Sequence, residues 1–292
     1  MELNNETKTR IIDAVKADRD NYPSDAKHAI ALGITASVYS NIKKGNTDRQ
    51  LGEAMWLGIA RRLGVALRPE AEWLAVETEA YLYITGQLRA CQEGALSVIL
   101  CDIPNIGKTF TARIYAKSHR HVAYIDCSQV KTKRKLVRRI AQEFGVGMQG
   151  TYHDVYADLV YYLQSVDRPL IILDEAGDLQ YEAFLELKAL WNATEHHCGW
   201  YMMGADGLKA KIDRSIDCAK VGYAEIFSRY GSKYSRVTPD NGKDLKAFLI
   251  SEAIQVAQAN TPEGVDAKQL ARKAGGLRRV YTEIMKLRHA GA

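Results

Sequence analysis

The chain has 292 residues, 47% of them apolar, and a formal net charge of +5, which is ample for the core of one large or two smaller domains. No run approaches the roughly eighteen apolar residues of a membrane helix, and Met1 to Arg10 is polar and charged rather than signal-like, so no membrane partner and a cytoplasmic location are expected. The five cysteines (Cys91, Cys101, Cys127, Cys198, Cys218) are odd in number and lack Cys-x-x-Cys spacing; they are expected to be buried reduced thiols, neither metal ligands nor disulfides. So mild a net charge matters through its distribution.

Residues 1–66 carry short helical patterns. The first has Ile11, Ile12 and Val15 on one face and is stopped by Pro23, and Ser24 is a good N-cap for the next. From Ala26 to Gly45, the residues Ala29, Gly33, Ile34, Val38 and Ile42 have the small, glycine and apolar spacing of two helices joined by a turn at Gly33. Thr35 would cap the second helix, leaving Ser37, Ser40, Asn41 and Lys43 on its outer face, able to meet base edges and phosphates. The segment resembles the lambda-repressor-like helix-turn-helix domain, which implies DNA binding; an ordinary helical hairpin would read the same way. Acids nearly balance bases here, so the DNA affinity of this unit alone should be modest.

Residues 67–76, with Pro69 and several glutamates, form the expected linker. A helix from Glu77 to Gln92 then leads to an apolar run, Ala95 to Cys101, and Gly107-Lys108-Thr109 opens a helix ending near Ser118. Strand, loop and helix in this order make a phosphate-binding loop, because the unpaired N–H groups and the dipole at a helix start favour an anion. Lys108 would reach the outer phosphates of ATP and Thr109 would ligate Mg²⁺, with Asn105, Ile106, Gly107 and Phe110 completing the nucleotide-binding set. Asp102 stands where the full pattern has glycine. It would tolerate a left-handed backbone but bring a carboxylate near the phosphates.

After a strand from His121 to Cys127, the stretch from Lys131 to Arg139 holds six cations (Lys131, Lys133, Arg134, Lys135, Arg138, Arg139) in nine residues and no acid. On a helix from Lys131 to Phe144, Lys131, Arg134, Lys135 and Arg138 share one face, while Leu136, Val137, Ile140 and Phe144 cover the other. Like charges on one face cost roughly 0.2–0.5 kcal/mol per pair, which argues for a compensating anion, and a nucleic-acid backbone is the obvious one.

A helix from Tyr152 to Val166 precedes Pro169 to Glu175, a short apolar run suited to a parallel strand covered on both faces and ending in two carboxylates. Successive residues point to opposite sides, so Asp174 would hold the Mg²⁺ shell while Glu175 orients and deprotonates the attacking water. A helix from Leu179 to Glu195 and strands at Gly199–Gly204 and Lys233–Thr238 follow. Five strands interleaved with helices predict an α/β fold with a mainly parallel sheet. The last fifty or so residues read as helices only, at 243–259, 267–274 and 277–289.

A five-stranded phosphate-loop core at 77–239 followed by a helical lid at 240–292 resembles the AAA+ ATPases. The resemblance implies further site residues. Asp206 lies nearest the place of the γ-phosphate sensor after the fourth strand. Arg229, in Glu225-Ile-Phe-Ser-Arg229, lies where the family has an arginine finger that enters the neighbouring subunit's nucleotide site. Arg278, in Gly275-Gly-Leu-Arg278, matches the lid arginine that touches nucleotide, and Arg279 falls about 100° further round the helix. With its basic segment after the second strand and a helix-turn-helix in front, the chain is similar to the MuB-type ATPases of transposition, whose relatives include TnsC and IstB. That implies an ATPase using Mg²⁺, a homo-oligomeric filament on duplex DNA and a transposase partner. A helicase-loader ATPase and a nucleotide-sensing helix-turn-helix regulator are the competing expectations.

Overall fold

A computed structural model describes residues 3, 5–48, 50–65, 67, 73–147 and 149–290; Pro69, part of the expected linker, lies outside the described residues. Five strands, β1 (Ser97–Cys101), β2 (Val122–Asp126), β3 (Leu170–Asp174), β4 (Gly199–Gly204) and β5 (Tyr234–Ser235), form one parallel sheet in the order β2-β3-β4-β1-β5. All five residues of β3 are buried, as a central parallel strand requires. Alternation splits them between two cores. Ile171 and Leu173 pack with Ile125, Trp200 and Met202 on one face, and Leu170 and Ile172 with Leu100, Tyr201 and Met203 on the other. Each such aliphatic side chain contributes roughly 1.5–3 kcal/mol by burial.

The second face is covered by α5 (Glu79–Gly94) and α6 (Lys108–Ser118), through Ile84, Leu88, Ala112 and Tyr115. The first is covered by α7 (Lys133–Glu143), α8 (Tyr152–Ser165) and α9 (Tyr181–Ala193), with α10 (Asp206–Asp217) and α11 (Tyr223–Arg229) between β4 and β5. Neither α10 nor α11 is among the helices expected from the sequence, although Leu208, Ile212 and Ile216 recur at helical spacing. Four cysteines are buried free thiols, but Cys218, the C-cap of α10, is exposed, which corrects the expectation for that residue.

Four N-terminal helices, α1 (Asn5–Asp18), α2 (Asp25–Leu32), α3 (Ala36–Lys43) and α4 (Glu53–Leu63), enclose a separate core of Ile11, Ile12, Val15, Ala29, Tyr39, Ile42, Trp56 and Ile59. Ser24 caps α2 and Thr35 caps α3, each accepting from a backbone N–H, while Gly33 turns between them at φ 75°. This unit rests on the end of α7. Arg62 pairs with Glu143 at 3.2 Å, both side chains largely buried, and Lys27 O lies so close to Gly145 that a Cβ there would stand 2.2 Å from it.

Three helices close the chain, α12 (Gly242–Asn260), α13 (Ala267–Ala274) and α14 (Leu277–Ala290), around Ala253, Ala257, Ala271, Val280 and Ile284. They are fastened to the core by α12. Glu252 accepts from Thr78 Oγ1 at 2.5 Å and from Ala80 N–H at 3.3 Å, and the Asn260 amide both donates to and accepts from the Leu74 backbone. No helix among the described residues is long and apolar enough to cross a membrane.

Candidate functional site

The carboxyl ends of the strands bring together Cys101, Asp126, Asp174 and Gly204, since Cys101 pairs with Gly204 and Asp126 with Asp174. Ligands of open parallel sheets bind at this edge. Beyond Cys101 the loop turns through Asn105 (φ 71°) and Gly107 (φ 89°) before α6 begins at Lys108. Ile106 is buried beneath it and Phe110 stands 40% exposed. Lys108 is itself buried, and its ammonium donates to the carbonyls of Asp102 (2.8 Å) and Ile103 (2.7 Å). Burial pushes its pKa down, against the pull of Asp102, Glu175 and Asp174. A cation that touches only neutral carbonyls across a loop of this shape is well matched to a polyphosphate.

Asp102 does not do what the sequence suggested. It is absent from the residues with positive φ, and its fully buried carboxylate bridges the start of the loop and the chain leaving β5. Oδ2 accepts from Val237 N–H (2.8 Å) and Thr238 N–H (3.0 Å); Oδ1 accepts from Ile103 N–H (2.8 Å) and from the Thr238 hydroxyl. Arg236 Nε lies 3.6 Å from Oδ1. These bonds also explain why β5 spans two residues rather than the expected 233–238: the N–H groups of Val237 and Thr238 go to a carboxylate instead of a strand.

Asp174 is the centre of the acidic pair. Oδ2 accepts from the Thr109 hydroxyl (2.7 Å) and the Tyr124 hydroxyl (2.6 Å), while Oδ1 accepts from Glu175 N–H (2.9 Å). Thr109 and Asp174 therefore converge as hard oxygen donors of the kind Mg²⁺ prefers. Tyr124 was not foreseen, because a tyrosine inside a strand reads as ordinary β sequence. Glu175 is exposed and holds a left-handed backbone, φ 50°. Partial desolvation of its carboxyl by the surrounding site, and then the Asp174 charge, raise its pKa above the usual value, Lys108 opposing.

The remaining expected residues fall at three places. Asp206 is the exposed first residue of α10, near Cys101, whose thiol is raised to about 12 by burial and then by the Asp206 charge. Arg278 is the second residue of α14, where its N–H donates to Asn105 Oδ1 at 2.8 Å. Gly276 lies close to the same side chain, and a Cβ there would stand 2.5 Å from Asn105 Nδ2 and displace it. Arg229 is distant from its own loop. Its Nε donates to Asn192 Oδ1 (2.7 Å) and its guanidinium lies over Trp191, whose indole N–H donates to Ser97, the first residue of β1. That is the opposite edge of the sheet.

The basic stretch differs from the expected stripe in one respect. Thr132 is extended and caps α7, so Lys131 precedes the helix, its carbonyl accepting from Gln180 N–H at 2.9 Å. Lys131 pairs with Asp178 (3.1 Å), Lys133 lies 3.8 Å from Glu182, and Arg139 pairs with Glu143 (2.8 Å). Arg134, Lys135 and Arg138 are exposed, without an acidic partner in an ion pair among the described residues. Leu136, Val137, Ile140 and Ala141 anchor the opposite face. On α3, Ser37 and Ser40 are exposed, but Asn41 donates to Gln50 (2.8 Å) and Lys43 pairs with Asp25 (3.0 Å), so half of the expected outer face is already engaged.

The AAA domain family matches residues 89–212, the stretch that carries the loop, the acidic pair and the basic helix. Over 251 residues, 84% of this chain and 75% of theirs, the sequence is 25% identical to the ATP-dependent target DNA activator B of Escherichia phage D108 and 24% identical to that of Escherichia phage Mu. It is 23% identical to the Mu-like prophage FluMu DNA transposition protein B of Haemophilus influenzae over 274 residues, covering 92% and 93% of the two chains. Loop, acidic pair and five-stranded sheet agree with these similarities: the chain carries an AAA ATPase domain and is similar to the MuB-type proteins of transposition.

Proposed function

We propose that this ATPase assembles as a homo-oligomer on duplex DNA without sequence preference, in an ATP-dependent manner, and recruits or activates a transposase, acting in the cytoplasm. The observation that carries the reading is the exposed set Arg134, Lys135 and Arg138 on α7, held outward by a fully apolar opposite face. The relatives' names, which speak of target DNA and transposition, support the same direction.

In this reading Lys108 and the backbone from Asn105 to Phe110 bind the phosphates of ATP. Thr109 and Asp174 would hold Mg²⁺, which would supply charge neutralisation to the phosphates. Glu175 takes the proton of the attacking water, its raised pKa suiting it to that task. Asp206 reads the γ-phosphate, and Arg278 brings the lid to the nucleotide. Arg229, at the far edge of its own sheet, acts on the next subunit's nucleotide, a contribution worth roughly 10³–10⁵ in rate for such fingers. Exposed Ser37 and Ser40 on α3 also touch the DNA.

Changing Arg134, Lys135 and Arg138 together to alanine is expected to weaken duplex binding uniformly across sequences. It should flatten the plot of log affinity against log salt by up to about three units of slope, one for each phosphate that α7 no longer neutralises. Binding measured by anisotropy at several salt concentrations decides it; an unchanged slope would remove α7 from the DNA surface.

A further inference from the structure

Glu175 is followed by a 3₁₀ turn, Ala176–Asp178, which Glu175 opens in the left-handed region at φ 50° and ψ 41°. A residue with a Cβ is strained there and stays only where its surroundings insist. Asp174 Oδ1 holds Glu175 N–H and Asp178 N–H donates to the Glu175 carbonyl (3.0 Å), and two lysines hold the rest of the turn. Lys211, on α10, reaches over the Phe184 ring and donates to the carbonyls of Gly177 (2.7 Å) and Leu179. Its ammonium is thus committed to the backbone of the turn, where an ion pair alone would leave the backbone free to shift. Lys131, at the head of the basic stretch, grips the same turn twice: Nζ pairs with Asp178 Oδ2 at 3.1 Å, and its carbonyl accepts from Gln180 N–H at 2.9 Å.

The two grips differ in permanence. Lys211 is partly buried and bonded to groups that cannot leave. The Lys131–Asp178 pair is about half exposed on both sides, 50% and 46%, and an ion pair so open to water is weakly held and readily exchanged for another anion. A phosphate arriving on α7 competes with Asp178 for Lys131, and with Glu182 for Lys133.

We infer that Lys211 is a positioning residue for Glu175, and that the Lys131–Asp178 pair is the link through which a nucleic-acid backbone on the basic stretch changes the placement of Glu175. This rests on the reading above in which Glu175 activates water and α7 meets DNA. The turn is short and its two ends are tied to different elements, so a change of partner at Asp178 is felt three residues away at Glu175. Positioning errors of about 1 Å can cost on the order of 10²-fold in rate, so a small displacement suffices for control.

The test measures ATP turnover by the full-length chain with and without random-sequence duplex DNA, for the unmodified protein, Lys211→Met, Lys211→Arg, Asp178→Asn and Glu175→Gln. Lys211→Met should lower kcat by about tenfold or more with KM for ATP within about twofold, and Lys211→Arg should recover part of the loss, the split expected when only transition-state placement is harmed. Asp178→Asn, on the surface, should keep its melting temperature and bind DNA no more weakly, since Lys131 loses a competing carboxylate, while the ratio of DNA-stimulated to DNA-free turnover falls to near one. Wild-type kcat in Lys211→Met, or an undiminished ratio in Asp178→Asn, would overturn the positioning role and the link respectively. If Glu175→Gln turns over normally, the base assignment itself has failed; if the unmodified protein ignores DNA, the DNA reading has failed and the link falls with it.

Discussion

Replacing Asp102 by glycine, the residue the phosphate-loop pattern asks for, is expected to damage this protein rather than improve it. The carboxylate is fully buried and is the hydrogen-bond partner of Val237 N–H, Thr238 N–H, the Thr238 hydroxyl and Ile103 N–H, with Arg236 beside it. Removing it strands backbone donors, at roughly 1–3 kcal/mol each where water does not relieve them, while Arg236 is exposed enough to turn to solvent. Glycine also adds backbone entropy to the unfolded chain. A total of about 3 kcal/mol would lower the melting temperature by roughly 6–12 °C in a domain of this size. The affected chain is the connection from β5 to α12, so the lid should loosen as well, with faster amide exchange at Val237 and Thr238 than in the parent. A variant as stable as the parent would mean that these bonds contribute nothing.

Glu175→Gln is expected to reduce ATP turnover by about 10²–10⁴, the usual worth of a positioned general base, while leaving nucleotide binding close to normal. The amide is the same size as the carboxylate, and phosphate binding belongs to other residues: Lys108 and Thr109 are placed by α6 and by Asp174, whose bonds to Thr109 and Tyr124 do not involve the Glu175 side chain. Steady-state hydrolysis and equilibrium binding of a fluorescent ATP analogue separate the two effects. Equal turnover in both proteins would assign the base elsewhere.

The sheet was legible because fully buried parallel strands leave little freedom of composition. Ala95 to Cys101 and Pro169 to Glu175 read as short apolar runs, and the loop and the acidic pair could be located from them. What was illegible depends on partners far along the chain. Asp102 was visible as a departure from a motif, but its ligands lie at Val237 and Thr238, beyond the fifth strand, and no local pattern announces that pairing. Tyr124 reaches Asp174 across the β2–β3 register. Lys211 sits on a helix whose apolar positions, Leu208 and Ile212, are few among charged neighbours, so its periodicity is faint. The start of the basic helix is hidden for a related reason: composition favours helix at Lys131, but Thr132 is extended and the Lys131 carbonyl is taken by Gln180 N–H, far along the chain.

Electron microscopy of the purified chain with random-sequence duplex DNA, in ATP, a non-hydrolysable analogue, ADP or no nucleotide, puts the proposed assembly to its most direct test. Regular filaments that follow the DNA with either triphosphate, and are lost in ADP and without nucleotide, are the expected result, since the γ-phosphate would lie between Lys108 of one subunit and Arg229 of the next. Discrete particles of the same size in all four conditions would contradict it.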